Sequence, residues 1–237
     1  MINIAISLSG GIIILIAGIF FSFPWWLITM LGILITAVIF FILSKIMAKK
    51  LTTIFMNANS ELQKGRIDRA IIILKEGFRY RRQQPLIASQ INAQLGVIYY
   101  CKNDYKEAVN YLKKGLSAHY VAQCMLGIIY MKEKKYSEMK KAFDIALRTG
   151  RKESIVWSLY AYCLNRIDEK EGAIEVLNKG LKKLKEDEFI KENLLALQNK
   201  KKMKMKAYGD QWRQFMLEKN VIRQQQPKHF QPKYVHR

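Results

Sequence analysis

Apolar positions along this chain follow two different rules. From residue 1 to residue 44 they run almost without interruption, and no charged side chain precedes Lys45. From residue 51 onward they recur three and four apart, the spacing that lays an apolar stripe along one side of a helix. The first regime predicts helices soluble in lipid. A single helix of 44 residues would be about 66 Å long, against a hydrocarbon layer of about 30 Å, so the chain has to turn. Pro24 removes a helix hydrogen bond, and the run FFSFPWW at Phe20 to Trp26 brings aromatic rings to that point. The expectation is a two-helix transmembrane hairpin within residues 1–46, with spans at about 3–21 and 25–43 and an aromatic tip at the far interface. A secretory signal peptide fits poorly, because a basic leading region is missing and the stretch is twice too long. A re-entrant hairpin stays open, since no charge holds the tip outside.

The second regime predicts helical pairs. LGVIYYCKNDYKEAVNYLKKGL, Leu95 to Leu116, lies over LGIIYMKEKKYSEMKKAFDIAL, Leu126 to Leu147, without a gap. Tyr105 falls over Tyr136, Ala108 over Met139, Leu112 over Phe143 and Gly115 over Ala146. Weaker copies flank these two, at Met56 to Phe78 and at Trp157 to Leu181. The small residue of the first helix recurs at Ala58, Gly96, Gly127 and Ala161, at intervals of 38, 31 and 34. The pattern resembles the tetratricopeptide repeat family, whose first helix carries Leu-Gly-x-x-Tyr and whose second carries Ala-x-x-x-Phe. The resemblance implies an all-α chain: a tetratricopeptide-type α-solenoid of about four repeats over 51–187, following the transmembrane hairpin and closed by C-terminal capping helices. The caps are expected at 188–220, with a helix through Phe189, Ile190, Leu194 and Leu197 and a short one through Trp212, Phe215 and Met216. Residues 221–237, with few apolar side chains, read as a disordered basic tail.

Neither glycine nor proline occurs between Gly32 and Gly65. The second span is therefore expected to continue as one helix into the first repeat and to hold the repeats at a fixed angle near the bilayer.

Charge sharpens this picture without choosing a partner. The formal net charge is +21, and Lys45, Lys49, Lys50, Lys64 and Arg66 follow the second span closely. By the positive-inside rule both termini and the repeats face the cytosol, and the location implied is a bacterial inner membrane. The basic run NKKKMKMK at Asn199 to Lys206 has three readings. Lys200, Lys201, Lys202, Lys204 and Lys206 complement a helix end, touch anionic lipid headgroups, or hold nucleic-acid phosphates.

No catalytic, cofactor or metal site is expected. His119, His229 and His236 have no acid or thiol placed beside them, no phosphate-binding glycine loop occurs, and Cys101, Cys124 and Cys163 lack metal-ligand spacing. Binding is better supported. The family's register implies a concave groove lined by Val97, Tyr100, Cys101, Cys124, Ile128, Met131, Lys132, Ser158, Tyr162 and Arg166, mostly apolar with cations toward one edge. It suits a helix or extended peptide with some negative charge, unless part of the lining packs against the next repeat or against the chain's own tail. The function implied is a membrane-anchored scaffold for a protein partner in the assembly, secretion or quality control of envelope components. The alternative is a membrane-tethered binder of nucleic acid or ribosomes acting through the basic C-terminal region. If the groove is open, glutamate at Tyr100 and Ile128 should abolish capture and spare the helices.

Overall fold

The computed structural model describes residues 2–20, 24–83, 86–115 and 117–217. The hairpin tip at Phe21 to Phe23 and the tail at 221–237 lie outside the described residues. The chain divides into two compact units, Met1–Ile91 and Asn92–Arg237. Among the described residues every regular element is helical.

In the first unit, α1 (Ile2–Phe20) and α2 (Trp25–Gln63) form an antiparallel hairpin, and α3 (Ile67–Glu76) packs on the end of α2. Both α1 and α2 are long and apolar enough, by length and composition, to cross a membrane. The buried positions of α1 are Asn3, Ser7, Gly11 and Gly18, a stripe at helical spacing. A methyl group on Gly11 would strike the Thr36 side chain and come within 3.1 Å of the Gly32 carbonyl, and one on Gly18 would strike Ile28 at 2.7 Å. Small side chains thus bring the two backbones together, as they do where helices associate without a hydrophobic driving force. The Ser7 hydroxyl donates to the Asn3 carbonyl at 2.7 Å and the Thr36 hydroxyl to the Gly32 carbonyl at 2.8 Å, so both are satisfied within their own helices. Ile13, Ile19, Trp25, Met30, Ile33 and Phe41 are turned outward and exposed. That much contiguous apolar surface is unusual on a protein bathed in water.

The continuity expected between span and repeat is present: α2 runs unbroken for 39 residues and its last turns pack on α3 through Ala58, Ala70 and Leu74. After α3 the chain returns to the start of the hairpin, where the Ile2 N–H donates to the Arg82 carbonyl at 2.9 Å.

Later pairs are α4 (Ile87–Cys101) with α5 (Tyr105–Leu112), α6 (Tyr120–Lys132) with α7 (Tyr136–Thr149), and α8 (Ser154–Arg166) with α9 (Lys170–Lys183), followed by α10 (Glu188–Gln198). The turn inside each pair is built the same way. Gly65, Asn103, Lys134 and Asp168 adopt left-handed backbone angles, with φ of 76°, 61°, 58° and 63°. The N–H of the following residue reaches back five positions, from Arg66 to Glu61, Asp104 to Tyr99, Lys135 to Tyr130 and Glu169 to Leu164, a Schellman closure. Each left-handed residue lies seven positions after the small residue of its helix, so the intervals 38, 31 and 34 hold in backbone geometry as well as in sequence.

The small residues act as the motif requires. A methyl on Gly96 would meet Leu112 at 2.6 Å, and one on Gly127 would meet the Phe143 ring at 2.7 Å. These are the two large residues that superpose in the repeat alignment.

His119 caps α6: its Nδ1 accepts the Ala122 N–H at 3.2 Å. Desolvation holds its pKa below the ordinary 6.5. The native state therefore binds fewer protons than the unfolded chain as pH falls below 6.5, so this contribution is complete above that value and is lost on acidification. The melting temperature is expected to drop between about pH 7 and pH 5, and His119→Asn, a cap that does not titrate, should flatten that dependence in a calorimetric series.

Candidate binding groove

Helices α4, α6 and α8 are the first helices of their pairs and contribute the inner face of the second unit. Val97, Tyr100, Cys124, Ile128 and Ser158 are buried there, Met131 and Tyr162 are half-buried, and Cys101, Lys132 and Arg166 are exposed. The exposed three occupy one edge, because each lies at the C-terminal end of its helix. Lys132 donates to the Tyr105 hydroxyl at 2.6 Å and lies over the Tyr105 ring at 4.3 Å, while Arg166 donates to the Tyr162 hydroxyl at 3.2 Å. These cations are held against aromatic rings and leave N–H groups for an acidic guest. Burial pushes the Cys124 and Cys163 thiols up, which keeps them protonated and inert as packed side chains.

The inner face is covered by the chain's own C-terminal segment. α10 ends as each first helix does, with Lys200 at φ 54° and the Lys201 N–H reaching back to Ala196. Seven positions before Lys200, where the other pairs have glycine or alanine, stands Asn193, buried. Among the described residues no second helix of repeat length follows. Residues 201–204 are irregular, Met205–Tyr208 forms a single 3-10 turn, and α11 (Asp210–Arg213) is one turn of helix.

The Asn193 side chain holds the beginning of this strap: its Oδ1 accepts the Lys204 N–H at 2.7 Å and its Nδ2 donates to the Ser158 hydroxyl at 3.4 Å. The Tyr208 hydroxyl pairs with that of Ser158 at 2.8 Å, and its ring packs on Phe189 at 4.9 Å. Trp212 meets the Tyr162 ring edge-on at 4.9 Å. Phe215 is completely buried, and its carbonyl accepts from the Tyr100 hydroxyl. Burial pushes the Tyr100 phenol well above its ordinary 10.0, which keeps it a donor.

Of the two readings of the inward face, a groove for a partner and a surface packed against the chain's own tail, the structure has the second, with the strap lying on it. The sequence predicts a capping helix through Phe189, Ile190, Leu194 and Leu197 that runs out in the basic run and a short second one through Trp212, Phe215 and Met216. α10 is the first, whereas residues 201–204 are irregular and only one helical turn, α11, follows the 3-10 turn, with Met205 buried, Met203 half-buried, and Lys202, Lys204 and Lys206 exposed. The alternation KMKMK sets its two methionines toward the apolar surface and its lysines outward. All five lysines of the cluster are exposed. Among the described residues no three His, Cys, Asp or Glu side chains converge as metal ligands.

Residues 89–118, spanning α4 and α5, match the family model for the tetratricopeptide repeat. The chain contains a tetratricopeptide repeat. The same small-residue contact and Schellman turn recur in its neighbours, so the all-α architecture is a tetratricopeptide-type solenoid with two long apolar helices ahead of it. Solved structures with a similar fold include MamA 41-end from Desulfovibrio magneticus RS-1, 18% identical, with a TM-score of 0.49 over 70% of this chain and 91% of that one. Another is a MamA RS-1 ArsTM double mutant, 19% identical, with a TM-score of 0.49 over 70% of this chain and 93% of that one. No curated protein matches the chain. Tetratricopeptide repeats serve as protein-interaction scaffolds, and this chain has the fold for that role.

Proposed function

We propose that the chain is a scaffold anchored in a bacterial inner membrane, with both termini and the tetratricopeptide repeats in the cytosol, that captures a protein partner on its concave face. The observation that carries this reading is α2, a single helix that is both the second apolar span and the first helix of the first repeat. Within the first unit the apolar span thus runs into the first helix pair without a break in the helix. Exposed Lys45, Lys49 and Lys50 stand at the end of the apolar stretch, where anionic headgroups and the positive-inside rule favour them. The partner acts in the assembly, secretion or quality control of envelope components.

The partner-binding edge is Lys132 and Arg166, whose cations suit an acidic segment. Because both are exposed, Lys132→Glu with Arg166→Glu should leave the melting temperature nearly unchanged and remove the partner from complexes purified in mild detergent. Retention of the partner would rule out this edge, and reporters at the two chain ends active outside the cytosol would rule out the orientation. The alternative, a tethered nucleic-acid or ribosome binder, draws on Lys200, Lys201, Lys202, Lys204 and Lys206. Tyr208 and Trp212, the rings that follow them, are buried against the groove and cannot stack on bases.

A further inference from the structure

A terminal cap hides the outward face of the last helix pair. The strap instead turns back at Asn193 and crosses the inner faces of α8 and α4, against the order of the repeats. It is held as a groove holds a peptide. The Asn193 side chain of α10 meets its backbone at Lys204 N–H and the groove side chain Tyr100 meets it at the Phe215 carbonyl, and apolar seats receive Tyr208, Trp212 and Phe215. Backbone hydrogen bonds supply register and side-chain seats supply selectivity in such complexes. The anchors are four and three residues apart in sequence.

We propose that residues 202–215 are the groove's resident ligand, held in cis, and that the external partner is a protein segment carrying large aromatic anchors in the same order, which takes the seats only when the strap leaves. This rests on the concave face being the partner-binding surface. A ligand tethered to its own site acts at an effective concentration of about 1 mM, so a free peptide of the same sequence is excluded until it approaches that concentration. Gly209 provides a way to loosen the tether without touching a seat. Its backbone (φ 57°, ψ −126°) is reserved for glycine, and a methyl there would have no atom within 4 Å.

The test uses the full chain in detergent micelles and a fluorescent synthetic peptide of residues 199–217, with binding read by anisotropy. The wild-type chain should bind at about 1 mM or weaker, and Gly209→Ala about tenfold more tightly. Trp212→Ala with Phe215→Ala, which empties two seats, should bind more tightly still and with one-to-one saturation. A peptide lacking the tryptophan and phenylalanine should not bind. Equal affinity for wild type and Gly209→Ala would overturn the proposal, even where the double variant fails to fold. So would a loosened chain that keeps its protein partner in purified complexes and ignores the peptide, although the scaffold reading would then survive.

Discussion

Glutamate at position 128 is expected to unfold the repeats of the second unit. Ile128 lies in the middle of α6 with no exposed surface, and Tyr100 is equally buried under the strap. A carboxylate there must be desolvated or protonated, and either route costs several kcal/mol, a large share of the stability of an ordinary domain. Ile128→Leu, which keeps the volume, should cost less than about 1.5 kcal/mol. Far-ultraviolet circular dichroism against temperature separates the two variants. The covered groove thus reverses the expectation that charges at Tyr100 and Ile128 would block binding and spare the fold. A wild-type melt for Ile128→Glu would mean that the strap lifts away freely and the residue is open to water.

Phe143→Ala should lower stability by about 3–5 kcal/mol, the range for removing a fully buried aromatic side chain. Phe143 fills the gap opposite Gly127 and stacks on Tyr160 with ring centroids 4.8 Å apart. The contact with Gly127 allows a sign test. In the wild type, a methyl on Gly127 strikes the ring at 2.7 Å and should destabilise. With Phe143 already alanine, Gly127→Ala should stabilise, because the clash is gone and the gain in helix propensity of about 1 kcal/mol remains. Urea titrations of the four proteins form a double-mutant cycle, and additive effects would show that the two side chains do not meet in solution.

The alignment of Leu95–Leu116 with Leu126–Leu147 foretold more than a set of helices. Gly96 paired with Leu112 and Gly127 with Phe143 are contacts within each pair, and the intervals between small residues reappear in the left-handed turns at Gly65, Asn103, Lys134 and Asp168. Such contacts are legible because both partners are close in sequence and recur with the repeat. The long α2 was legible for a similar reason: no glycine or proline interrupts it between Gly32 and Gly65. Small residues such as Ser7, Gly11 and Gly18 at helical spacing suit a close helix contact, but spacing alone does not say whether the neighbour is the other span or a foreign helix. Gly11 lies against Gly32 and Thr36, so the hairpin packs on itself.

The strap was illegible for a different reason. Its contacts join residues such as Tyr100 and Phe215 that are 115 positions apart, and its short turns have no period to detect beyond KMKMK. Asn193 gives no warning either, since an amide at the small-residue position looks like repeat decay until it is seen holding the Lys204 N–H.

By itself, then, the sequence determined what local spacing can encode: two long apolar helices, a stack of helical pairs, and the face of each first helix that is buried. Only the tertiary structure decided whether that inward face is bare or covered. Apolar periodicity records that a surface must leave water, and it is the same whether the surface is covered by a partner or by the chain's own distant end.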